Sequence, residues 1–350
     1  MNPQLRKISR GLAISLVLVV VAVVGIKRAM RPKTYAEIET ERIAKITKQD
    51  KSVLGNSKAH EADIYGALIR LSSRGDETAR REALNRVLDP STLVRAGAAN
   101  GLGYFDDPEV LKSLEKLATD PDIQVRVQAL NGISHRTGVG RIEALKRVAM
   151  LPSATPEEVI AAWSGVLTLA TDPVQKASAL DTLVGLSTSS RVSENIRNLA
   201  ALKVISLSPR DEKVVKLMRE IVVSGKNRAL MPISLRHLST MGQPGLGDIF
   251  LSAVRHEDLQ VRIAAFQGLR FSCHPKRYEV AETVIRNDRE LVVREAVIRE
   301  LQWMPSQRGI ELLERVIQDH SLKDEQERLA KIAIVEIRRV KDQMGSQPCK

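Results

Sequence analysis

The chain has 350 residues, 43% of them apolar but only 3% aromatic, and a formal charge of +12. So little Phe, Tyr and Trp beside abundant Leu, Val, Ile and Ala argues against a β-sandwich or barrel and predicts small-residue helix packing. Two cysteines, Cys273 and Cys349, are too few for a disulfide framework or a cysteine-based zinc site and read as unreactive thiols.

The charge is uneven along the chain. Residues 1–33 hold seven basic residues and no acid, which leaves 47 basic against 42 acidic in the remainder, a net of +5. After a basic leader over 1–10, residues 11–26 (GLAISLVLVVVAVVGI) carry no charge. As a helix this run spans about 24 Å and is predicted to be a transmembrane anchor, its ends reached by Arg10, Lys27 and Arg28. A signal peptide is the alternative, although no A-x-A closes the run and the basic cluster after it disfavours translocation there. Basic residues on the two sides nearly cancel as an orientation signal. The simplest arrangement keeps the leader inside and places the body across a single-pass membrane, in a bacterial periplasm.

Thr34 and Glu37 form a capping box that opens a juxtamembrane helix through about residue 48, and the polar stretch 49–58 reads as a linker, so that 27–58 forms one segment. A lone helix is predicted over 59–73. Beyond it, related segments recur: DPSTLVRAGAANGL from Asp89, DPDIQVRVQALNGI from Asp120, HEDLQVRIAAFQGL from His256 and NDRELVVREAVIREL from Asn287. Their Val-Arg pairs end at Arg95, Arg126, Arg262 and Arg294. The 136 residues between Arg126 and Arg262 hold four further repeats, with helices predicted over 155–170, 172–186, 193–207, 211–223, 228–241 and 247–255. That makes eight helix-turn-helix repeats between about 76 and 341, none able to bury its apolar face alone, and a flexible tail over 342–350.

This pattern resembles HEAT repeats, in particular the short bacterial kind. The resemblance rests on an Asp in the turn with an Arg six residues on: Asp89 with Arg95, Asp120 with Arg126 and Asp288 with Arg294. His256 takes the Asp place before Arg262, and the four middle repeats lack the pair. The resemblance implies an all-α, right-handed α-solenoid over 59–341, with these residues stacking and pairing between repeats and the second helices lining a concave face. Gly101, Gly132, Gly165 and Gly268 share one place in the second helix, where close helix approach would offset their low helix propensity.

No chemistry stands out. The six histidines show no metal-ligand spacing. His60-Glu61 and His256-Glu257 resemble the His-Glu dipeptides with which HEAT-repeat deoxyhypusine hydroxylases bind two irons, but those enzymes need four and this chain has two, so both read as surface residues. Trp163 and Trp303 read as core residues rather than as the pocket of a HEAT-like DNA glycosylase. No cofactor, metal or catalytic residue is expected, and the chain reads as a non-enzyme.

What remains is a surface. The residue five after the Arg position is polar through seven successive repeats: Asn100, Asn131, Ser164, Lys203, Arg236, Gln267 and Arg299. It forms either a binding ladder on the concave face or an ordinary solvated one. The resulting reading is a membrane-anchored scaffold that binds protein partners there. One alternative is a maturation factor or enzyme resembling the phycobiliprotein lyases. Another, nucleic-acid binding through a basic concave surface, is disfavoured by the modest charge of the body.

Overall fold

The computed structural model describes residues 34–225, 227–241 and 245–344, which form eighteen helices and no strand. The chain divides into two compact units, one through Phe105 and one from Asp106.

The N-terminal unit contains α1 (Tyr35–Leu54), α2 (Glu61–Ser72), α3 (Glu77–Asn85) and α4 (Thr92–Leu102). The predicted capping box opens α1: the Glu37 amide donates to Thr34 Oγ1 at 3.3 Å and the Glu37 carboxylate accepts the Thr34 amide at 2.9 Å. The helix does not stop near 48. It continues to Leu54, because Asp50 and Leu54 are buried and Asp50 is gripped at 2.6 Å by Arg70 of α2. Arg86, at the end of α3, donates to the Leu54 carbonyl. The stretch expected to be a linker thus carries a buried carboxylate paired with a half-exposed arginine, and α1 packs on the helix expected to stand alone.

The C-terminal unit contains α5 (Pro108–Leu117), α6 (Ile123–Ser134), α7 (Arg141–Ala149), α8 (Pro156–Leu169), α9 (Pro173–Thr188), α10 (Glu194–Leu207), α11 (Glu212–Ser224), α12 (Met231–Ser239), α13 (Gly247–Ala253), α14 (Leu259–Phe271), α15 (Arg277–Asn287), α16 (Leu291–Leu301), α17 (Gln307–Gln318) and α18 (Asp324–Met344). They pair as seven hairpins, and the second helices bury one recurring stripe. Counted from its first buried residue, positions +4, +5 and +8 are also buried, as in Val261, Ala265, Phe266 and Leu269 of α14 or Val293, Val297, Ile298 and Leu301 of α16. That spacing puts four side chains on one side of a 3.6-residue helix. Glycine permits the hairpins to close. A Cβ on Gly165 would lie 2.7 Å from side-chain carbons of Ser134 and Leu145, and one on Gly268 would enter the Phe250 ring.

Three further expectations require correction. The first is localisation: the long helices α1 and α18, of 20 and 21 residues, carry charges throughout their length, and no helix among the described residues is long and apolar enough to cross a membrane. The leader 1–10 and the expected span 11–26 lie outside the described residues, so the single-pass membrane assignment with a periplasmic body is not sustained. The second concerns Cys273, which is disulfide-bonded rather than an unreactive thiol; Cys349 lies outside the described residues. The third is Trp303, which is 66% exposed, whereas Trp163 joins the core as expected.

Candidate functional site

The repeated arginines act on the backbone of their own turns. Arg126 donates to the carbonyls of Asp120 and Pro121, Arg95 to those of Asp89 and Pro90, and Arg262 to those of His256 and Glu257. The turn residue six positions earlier therefore meets the arginine through its carbonyl, and its side chain does something else. Asp89 and Asp120 each accept the amide two residues on, which tightens the turn. His256, which departs from the Asp pattern, substitutes for it fully, since its Nδ1 accepts the Asp258 amide at 3.0 Å. His60 Nδ1 likewise accepts the Ala62 amide. Both histidines that resemble iron ligands thus have one ring nitrogen committed to a helix start, and no group of three His, Cys, Asp or Glu fit to hold a metal occurs among the described residues.

Two arginines also reach the next hairpin. Arg126 pairs with Glu158 at 2.7 Å, and Arg262 holds Asp288 through two hydrogen bonds of 2.7 and 2.9 Å. Burial pushes the Glu158 carboxyl up, but the hydrogen bonds from Arg126 and Thr155 outweigh it and hold the group below the ordinary carboxylate range. These contacts tie hairpins together.

The arginine place has one more occupant than the sequence showed. Arg197 donates to the Val192 carbonyl, five residues earlier, as its counterparts do. Its turn has no Asp-Pro or His-Glu marker, so only geometry reveals it. The buried stripe of α10 runs Ile196, Ala200, Ala201 and Val204, which moves the sixth position of that helix from Lys203 to Leu202, itself partly exposed.

The remaining ladder residues hold the expected register in differing surroundings. Asn100 is half-buried on α4 of the N-terminal unit. In the C-terminal unit Asn131 is half-buried, and Ser164 is only 7% exposed, with no hydrogen-bond partner for its Oγ. Gln267 donates to Glu300 at 2.8 Å, while Arg236 and Arg299 are exposed. Burial and the adjacent Arg236 push the His237 imidazole below its ordinary range. In α18 the same register places Val335 at the sixth position, exposed. The ladder is consequently open at its C-terminal end and closed at Ser164.

A groove of about 450 Å³ opens between α13 and α15, where the seven-residue α13 leaves part of its neighbour uncovered. Arg255, Lys276 and Glu279 line it with Leu251, Val280 and Val284, and no ladder residue does.

Residues 77–165, from the start of α3 into α8, match the family described as HEAT repeats, so the resemblance is borne out over that stretch. No curated protein matches the sequence. Among solved structures, the chain is similar to the YibA protein of Escherichia coli (16% identity, 88% of this chain and 100% of that one, TM-score 0.42). It is also similar to the complex of CpcE and CpcF of phycocyanin lyase from Nostoc (14%, 77% and 96%, 0.41) and to human deoxyhypusine hydroxylase in complex with glycerol (14%, 86% and 99%, 0.34). None of these three likenesses bears on what this chain binds or catalyses.

Proposed function

We propose that this protein is a HEAT-repeat scaffold that binds other proteins through the outward rows of its second helices. The observation that carries this reading is a division of labour. The repeated arginines are spent on the carbonyls of their own turns and, at Arg126 and Arg262, on the next hairpin, while Arg236, Arg299 and Val335, on the opposite side of their helices from the core stripe, remain exposed. A row of exposed side chains on stacked elements offers extended area for a partner. The binding residues proposed are Asn131, Arg236, Gln267 and Arg299 of the C-terminal unit, with Leu202 taking the place first assigned to Lys203; buried Ser164 is not among them, and Asn100 would serve the N-terminal unit by itself. A HEAT-like maturation enzyme would use the same rows and would additionally need a reactive group beside them.

Photo-crosslinking in the native cell tests the reading. A benzoylphenylalanine at position 236 or 299 should yield discrete protein adducts, and one at Lys112 or Lys216 on the first helices should not. Adducts from the first-helix positions alone would overturn it.

A further inference from the structure

The last hairpins hold a covalent feature that the repeat pattern does not predict. Cys273 is disulfide-bonded, and the chain contains one other cysteine, Cys349. Within one chain the partner of Cys273 is therefore Cys349. The bond ties the turn between α14 and α15 to the end of the chain and closes the segment 273–349, which contains the last two hairpins, α15 with α16 and α17 with α18.

Cys273 stands where a cysteine is an unusual choice. α14 ends in a Schellman motif, in which the His274 amide donates to the Leu269 carbonyl at 3.0 Å and the Cys273 amide to the Arg270 carbonyl at 3.1 Å. Cys273 takes the left-handed place of that motif, with φ of 53°. Glycine is its ordinary occupant, because a Cβ is penalised there. The Cys273 carbonyl also accepts Arg277 Nη1 at 3.0 Å, so the residue is held from both sides. What cysteine offers at this place and glycine does not is a sulfur to bond.

The second helices explain how the bond can close. α14, α16 and α18 pack in succession, and their buried stripes open at Val261, Val293 and Leu329. Counted from there, Cys273 lies twelve residues along and Met344 fifteen. With 21 residues against 13 in α14 and 11 in α16, α18 reaches the level of Cys273. Five residues from Met344 to Cys349 extend at most about 17 Å, and a disulfide adds about 5.5 Å between Cα atoms. Two helix spacings amount to about 16–20 Å, within that reach.

The last hairpin is also where a latch matters. A terminal repeat has a neighbour on one side only and opens first. α18 buries Leu329, Ala330, Ala333, Ile334 and Ile337. The ion pairs of this hairpin, Arg338 with Glu314 and Arg315 with Glu282, leave more than half of each arginine side chain in solvent and add little.

We propose that a Cys273–Cys349 disulfide latches the last two hairpins and that exchange with a dithiol releases them. A thiolate of the dithiol attacks one sulfur, forms a mixed disulfide and expels the other sulfur as a thiolate, which takes up a proton. The second thiol of the dithiol then displaces the remaining protein sulfur, so both cysteines end as thiols and the dithiol as a cyclic disulfide. Cys273 is half-buried rather than enclosed. The latch is independent of the scaffold reading.

The test uses the full-length chain isolated without reductant. Alkylation followed by trypsin should give one linked species that contains fragments 271–276 and 342–350. Dithiothreitol, Cys349→Ser and Cys273→Gly should each speed hydrogen exchange in α17 and α18 by about tenfold or more and leave α8 and α9 unchanged. Glycine adopts positive φ freely, so agreement between Cys273→Gly and Cys349→Ser separates loss of the bond from damage to the turn. Dithiothreitol should have no effect on Cys349→Ser. Alkylation of both cysteines in the native chain, a bond from Cys273 to any other molecule, unchanged exchange after reduction, or equal acceleration in every helix would overturn the proposal.

Discussion

Arg262 and Met231 stand at the same place in successive second helices, and both are almost wholly buried, at 5% and 4% exposure. Arg262 survives there because hydrogen bonds to two carbonyls of its own turn and to both carboxylate oxygens of Asp288 satisfy it. The turn that it grips is shaped in its own right by the His256 and Asp258 acceptors. Met231 needs no partner. Its helix begins without a side-chain cap, held instead by the Asn227 side chain, which accepts the Leu230 amide and bonds across to Asn198. One position can thus be filled by a charged clasp or by an apolar plug, provided that the turn before it is built to match.

The largest effect should come from breaking the clasp. Arg262→Ala leaves Asp288 buried without its cation, and we expect a loss of about 3–5 kcal/mol in urea unfolding. Met231→Ala should cost less on average, about 2–4 kcal/mol, as an ordinary cavity. Converting one solution into the other sharpens the contrast: Arg262→Met with Asp288→Asn should recover part of the loss, because no lone charge remains buried. If the double variant is no better than Arg262→Ala, charge burial is not what the clasp resolves.

Glu158 comes next. Its carboxyl is held below the ordinary range, so its contribution is fully present above the unfolded-state value near 4.5 and is lost as pH falls through the lower folded-state value. Glu158→Gln should therefore cost about 1–3 kcal/mol at neutral pH, and the gap from the parent should close as the solution is acidified below about pH 4.5. A gap independent of pH would show that the Arg126 contact is not ionic.

Replacing the turn acceptor is a smaller perturbation. His256→Ala should cost about 1 kcal/mol, as loss of a helix-start acceptor does. His256→Asp should be nearly neutral, since Asp89 and Asp120 make the same bond in their turns. The smallest effect on stability is expected at the ladder: Arg236→Glu and Arg299→Glu should each move the unfolding free energy by less than about 0.5 kcal/mol.

The helices and their starts are legible in the sequence because capping residues and turn breakers are local signals. Thr34, Thr155, Asp172, Ser193 and Asp211 each open a helix where the sequence places one. The repeat is legible wherever an Asp or His precedes the arginine by six. It is lost at Arg197, whose turn lacks that marker, and the omission has a further cost: without Arg197 as a reference, counting along the ladder runs one residue too far and lands on Lys203 instead of Leu202. The linker expected before α2 fails for a different reason. Asp50 reads as a solvated residue in sequence, and only Arg70, twenty residues on, makes its burial tolerable. Trp303 reads as core by residue type, whereas its exposure depends on where the turn after α16 leaves it.

The polar ties within the two units share a scale. Arg86 reaches Leu54, Arg126 reaches Glu158, Arg315 reaches Glu282 and Gln267 reaches Glu300, each spanning 32 or 33 residues. Sequence separation between bonded partners therefore stays near one repeat however long the chain grows. Contact order remains low, and little loop-closure entropy has to be overcome before a contact forms. Within one unit an adjacent pair of hairpins is then expected to suffice as a nucleus, with folding spreading from it by adding one neighbour at a time.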